Sequence, residues 1–106
     1  MLQVFSKDLS KLVLENNDPN INIDKINEHI KLCKSQNMTI DITRLNLMDA
    51  CMVSTMCSTT HYLKYPQGKI SWIVNSPKVE EYTKPMNLGN SHYLLGWYII
   101  EIFCTN

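Results

Sequence analysis

The sequence predicts an α/β fold: one domain with a small mixed β-sheet flanked by two or three helices. Three observations carry that reading. From Ile21 to Gln36 the apolar residues recur at spacings of three and four, and from Met38 to Thr43 they switch to strict alternation, which is the change from a helical to a strand period. Ile70 to Val74, ISWIV, is an unbroken run of β-forming residues, short enough for a strand covered on both faces and too short for a helix. Between these segments stand Asn, Asp, Pro and Gly in clusters, the residues that turn a chain. At 106 residues the chain suffices for one hydrophobic core and not for two. It is read as a core over residues 1–90 with a C-terminal strand extension over 91–106.

Taken in order, Leu2 to Phe5 and Leu12 to Leu14 are short β-type runs separated by polar residues, as in a hairpin or two short strands. Glu15 to Asn20 is a loop, because Pro19 disfavours the α region at Asp18 and the Asn and Asp side chains satisfy nearby backbone groups. The helix over Ile21 to Gln36 carries the stripe Ile23, Ile26, Ile30 and Cys33, with Asn22 or Asp24 as its cap and Asn37 beyond its end. The strand Met38 to Thr43 follows. A second helix runs from an Asp49 cap to about Tyr65, burying Met52 or Val53, Met56, Thr60 and Leu63, and Pro66, Gln67 and Gly68 stop it. Ile70 to Val74 is the central strand. Ser76 and Pro77 open a short third helix in which Val79, Tyr82 and Met86 keep helical spacing and Glu80 and Glu81 lie at its positive end. The tail from Ser91 reads as one more strand, with Gly96 as a bulge.

Composition narrows the function. Lys plus Arg and Asp plus Glu both number 10, so the formal net charge is zero, and no basic footprint for nucleic acid or an anionic membrane exists. The longest apolar stretch, Leu94 to Cys104, is interrupted by Glu101 and falls well short of the ~20 residues a spanning helix needs. Four cysteines without a CxxC pair, behind an N-terminus lacking a signal-peptide core, read as reduced thiols in a cytoplasmic protein. Three scattered glycines supply no phosphate-cradling loop, and no G-x-S-x-G or dinucleotide pattern occurs. An enzyme is not expected, and no cofactor.

From Asn22 to Asn90 the chain resembles a STAS domain, the fold of bacterial anti-sigma-factor antagonists. The resemblance rests on Thr39-Ile40-Asp41-Ile42-Thr43 as a strand, Leu47-Met48-Asp49 as the loop after it, Lys69 to Asn75 as the later strand, and Pro77, Val79, Leu88 and Gly89 as the last helix and its end. It implies a non-catalytic regulatory module that presents a helix start to a protein partner, an anti-sigma-factor-like kinase. It implies partner-binding residues Asp49, Ala50, Cys51, Met52 and Ser54. In that family a serine or threonine at the helix start is phosphorylated. Here Cys51 occupies the place, so the phosphorylation switch does not carry over, and docking would proceed without phosphate control.

Several residues admit other chemistry. Asp49 serves equally as a plain helix cap. Cys51, close to a helix start, is either a thiol with lowered pKa or a small buried side chain. His29 with Cys33, and Cys57 with His61, stand at i, i+4 spacing and could converge into a zinc site if their helices are neighbours. Neither pair has the spacing of a strong metal motif, and no metal site is assigned. Trp72, Tyr93, Trp97, Tyr98 and Phe103 are read as core, with any exposed excess marking an interface. A structural homo-oligomer, such as a homodimer, assembled through the C-terminal strand, or a thiol- or zinc-binding protein using His29, Cys33, Cys57 and His61, is the alternative role.

Overall fold

The computed structural model describes residues 11–33 and 36–96. The expected strand at Leu2 to Phe5, the side chain of Cys33 and the tail beyond Gly96 lie outside those residues. The described chain alternates strictly: strand β1 (Lys11–Val13), helix α1 (Pro19–Cys33), β2 (Asn37–Asp41), α2 (Leu47–Lys64), β3 (Lys69–Val74), α3 (Lys78–Thr83), a 3₁₀ turn (Lys84–Met86) and β4 (Ser91–Leu95).

The four strands form one sheet in the order β1-β2-β3-β4, and every pair is parallel. The expected mixed sheet is therefore corrected to a parallel one among the described residues. The reason is connectivity: a helix separates each strand from the next and returns the chain to the end where the previous strand began. Strand order follows chain order, so three right-handed crossovers advance in one direction and set the helices on one face of the sheet. There α1 packs on α2 and α2 on α3. β3 lies between β2 and β4, as its unbroken apolar run leads one to expect.

The strand register assigns the faces. Leu12, Ile40, Trp72 and Tyr93 form one row under the helices, and Met38, Ile70 and Ser91 another. On the opposite face Lys11, Thr39, Ser71 and His92 align, beside Val13, Asp41, Ile73 and Leu94. Trp72 is fully buried, and its indole Nε1 donates to Ser91 Oγ at 3.0 Å. That bond satisfies the one polar atom that the largest core side chain brings inside.

Helix α1 starts earlier than its apolar stripe suggests. Asp18 caps it instead of Asn22 or Asp24: its Oδ1 accepts from Asn20 N at 2.8 Å and its carbonyl from Ile21 N at 2.9 Å. Pro19 takes the first helical position, where its missing N–H costs nothing. Ile26 and Ile30 reach the core as expected. Asn22 is buried and donates to Glu15 O at 3.1 Å, fixing the turn before the helix. In α3 the side chain of Ser76 accepts from Lys78 N at 3.1 Å, and Val79 and Thr83 are the buried positions.

The second helix corrects the sequence reading most. Its buried residues are Ala50, Val53, Ser54, Cys57, Ser58 and His61. Of the expected buried set only Val53 is inside; Met52, Met56, Thr60 and Leu63 face solvent, Leu63 with 76 % of its surface exposed. Small side chains let α2 lie close to its neighbours, and their hydroxyls are satisfied within the helix: Ser54 Oγ donates to Cys51 O at 3.3 Å and Ser58 Oγ to Thr55 O at 3.1 Å. At the end of α2, Gly68 is required by space. A Cβ there would meet Gln36 O at 2.3 Å and His61 Cε1 at 2.7 Å, so the turn closes onto the start of β2 only without a side chain.

This register makes opposite predictions from hydrophobicity alone. Ser54→Leu, which raises the apolar content of α2, is expected to destabilise the protein by about 1–3 kcal/mol through overpacking. Met56→Lys is expected to change stability by less than about 0.5 kcal/mol. Urea denaturation of the two variants against the parent decides, and a larger loss for Met56→Lys would reverse the assigned faces.

Candidate functional site

The loop from β2 to α2 is built by local hydrogen bonds. Asp41 Oδ1 accepts from Thr43 N at 2.9 Å and from Thr43 Oγ1 at 2.7 Å, turning the chain directly after the strand. Asn75, following β3, donates its side-chain amide to Thr43 O at 2.7 Å and ties the two loops together. Arg44 forms an ion pair with Glu15 across to the loop before α1. Leu45 is buried and anchors the turn.

Asn46, and not Asp49, caps α2. With an extended backbone it accepts from Asp49 N at 2.8 Å through its side-chain oxygen. Its Nδ2 reaches Asp49 Oδ2 at 3.3 Å. Asp49 is thus in the first helical turn, half-buried, where a carboxylate complements the free N–H groups. The five expected partner-binding residues divide between two environments. Asp49, Cys51 and Met52 reach the surface, whereas Ala50 and Ser54 are buried and unavailable to a partner.

Ser54 instead belongs to a partly buried polar contact that docks α2 on α3 and β4. The Tyr93 hydroxyl sits between Thr83 Oγ1 at 3.0 Å and Ser54 Oγ at 3.3 Å, and Thr83 Oγ1 also donates to Val79 O at 2.8 Å. Asn90, buried, donates to Ser58 O at 2.9 Å. These bonds fix the outward face of α2 relative to the 3₁₀ turn after α3.

That outward face is apolar. Met48 is 76 % exposed and Met56 50 %, with Met52 and Leu63 exposed as well, and Met86, 51 % exposed, comes beside them from the 3₁₀ turn. Cys51, Met52, Thr55, Met56 and Met86 line a shallow groove of about 280 Å³ between α2 and the 3₁₀ turn. Four of the chain's six methionines are therefore on this side of the molecule. Hydrophobicity pointed to Met52 and Met56 as core, and Met86 as part of the third helix's spacing. The legible signal was that the alternative stripe, 50, 53, 54, 57, 58 and 61, also keeps helical spacing, with side chains no larger than valine at every position but His61.

Neither of the two described thiols is activated. Burial pushes the Cys51 thiol up instead of the helix start lowering it, and pushes the Cys57 thiol up to about 12. Both are free cysteines. Among the described residues no three His, Cys, Asp or Glu side chains come together as a metal-binding group. Of the expected Cys57 and His61 pair, Cys57 packs in the core, and the buried His61 ring lies against Tyr65, with centroids 5.4 Å apart. Among the described residues no helix is long and apolar enough to cross a membrane.

Comparison of the chain with protein-family models, curated proteins and solved structures gives no match.

Alkylation separates the two described thiols: in native protein at pH 8, iodoacetamide is expected to modify Cys51 slowly and to leave Cys57 unmodified, read by peptide mass spectrometry. The pH dependence has a fixed sign. Above the ordinary thiol value of 9.0 the unfolded chain releases the Cys57 proton, while the folded chain holds it to about 12. Stability is therefore fully present below pH 9 and falls by up to about 1.4 kcal/mol per pH unit above it. Cys57→Ala removes that component, seen as a flatter difference curve in denaturation at pH 8 to 11.

Proposed function

We propose that the chain is a non-catalytic, regulatory protein-interaction module that docks through the outer face of α2. One observation carries the reading: α2 buries its serines, Cys57 and His61 and turns its methionines and Leu63 outward. Contiguous exposed apolar surface on a small domain marks a contact site, and unbranched, polarisable methionine side chains adapt to the shape of a partner. The docking residues are Met48, Met52, Met56 and Met86, with Asp49 and Cys51 at the start of the helix.

The resemblance to STAS domains supports the same helix as the partner-facing element, on a soluble regulatory protein of the cytoplasm. The groove on α2 is lined by thioethers, a thiol with raised pKa and a threonine, a lining suited to apolar contact.

A photo-reactive benzoylphenylalanine placed at position 56 in cells that produce the protein tests this reading. The expected result is a covalent adduct with a protein chain that is lost when Met52→Glu is added, while the same probe at exposed Lys78 on α3 gives none. Absence of any protein adduct from position 56 overturns the assignment.

A further inference from the structure

The outer face of α2 is complementary to itself, and we propose that its occupant is a second copy of this chain, paired α2 against α2 in antiparallel orientation. This rests on the docking reading above and names its partner. Met52, Met56, Thr59 and Leu63 follow one another at spacings of four, three and four, the interval that makes a straight seam along one side of a helix. All four are exposed. The seam is uneven. Its N-terminal half is hollow, the groove of Cys51, Met52, Thr55, Met56 and Met86. Its C-terminal half carries Leu63, 76 % exposed, as is Met48 one turn before the groove.

A hollow and a knob on the same stripe, about 16 Å apart at ~1.5 Å rise per residue, fit each other when one copy is turned end over end. Leu63 of each copy then enters the groove of the other, as a two-fold contact requires: residue i meets residue j, and j meets i. Charge agrees with this orientation. Asp49 is in the first turn of α2 and Lys64 in the last, so the antiparallel pair brings the acidic end of each helix to the basic end of its partner and opposes the two helix dipoles favourably. A parallel pair would set Asp49 beside Asp49 and Lys64 beside Lys64. With a formal net charge of zero, two copies carry no net repulsion.

Sedimentation equilibrium of the full chain, with circular dichroism to verify folding, tests the proposal. The parent protein is expected to be a dimer. Leu63→Glu, at an exposed position, is expected to keep the helical signal and raise the dimer dissociation constant on the order of tenfold or more. Asp49→Lys and Lys64→Asp are each expected to weaken the dimer, and the double exchange to restore part of it, which a purely structural effect of either residue would not do. A parent chain that is monomeric up to its solubility limit overturns the proposal, as does a dimer indifferent to Leu63→Glu. The first outcome together with a position 56 adduct to a different protein leaves the docking reading standing without self-pairing; no adduct at all removes both.

Discussion

How closely α2 can approach its neighbours governs the rest of the molecule. It is the central helix of the layer, with α1 on one side and α3 on the other, and it covers β3 from above. Trp72, the largest fully buried side chain, shares one core cluster with Ala50, Val53 and Cys57 of α2. Beside that indole α2 turns inward mostly small side chains, Ala50, Val53, Ser54, Cys57 and Ser58, together with His61. Interiors are packed at crystal-like density, so methionines cannot share the same space. They are turned outward because the inside is already occupied.

This constraint couples the core to the surface. The serines that allow close approach bring hydroxyls inside, and these are satisfied by carbonyls one turn back and by Tyr93. Tyr93 in turn contacts Thr83, and Asn90 reaches the Ser58 carbonyl. The same short network therefore sets the position of α3 and the 3₁₀ turn, and with them Met86, against α2. The groove on the outside is a consequence of polar contacts on the inside. A buried network of this kind defines one arrangement more sharply than apolar contacts of equal area, because a shifted helix would leave its hydroxyls without partners.

The proposed docking role uses the helix start as it stands, with Cys51 at the place that the STAS resemblance gives to a phosphoacceptor. With Cys51 held as a neutral thiol by burial, the helix start carries no switchable charge beyond Asp49. In the proposed docking, contact through this face depends on apolar fit, with Asp49 and Lys64 setting the orientation of the proposed pair.

The amino-acid sequence alone determined the elements and their kinds: the helical stripe of Ile26 and Ile30, the alternation of Met38, Ile40 and Ile42, the apolar run of β3, the stop at Gly68 and the helix start at Ser76 and Pro77. These depend on period, caps and turn residues, which act between neighbours in the chain. Helix starts were legible only to within one or two turns, because Asp18 competes with Asn22 and Asp24, and Asn46 with Asp49, and the winner depends on where the loop is tethered. Sheet direction and the inward face of α2 were decided by tertiary structure. Parallel pairing follows from every crossover being helical among the described strands. The face of α2 follows from the volume left by Trp72 and the hydroxyl partners offered by Tyr93 and the helix itself. Both are contacts between residues distant in the chain, and a scale of hydrophobicity, which ranks Met56 above Ser54, contains neither.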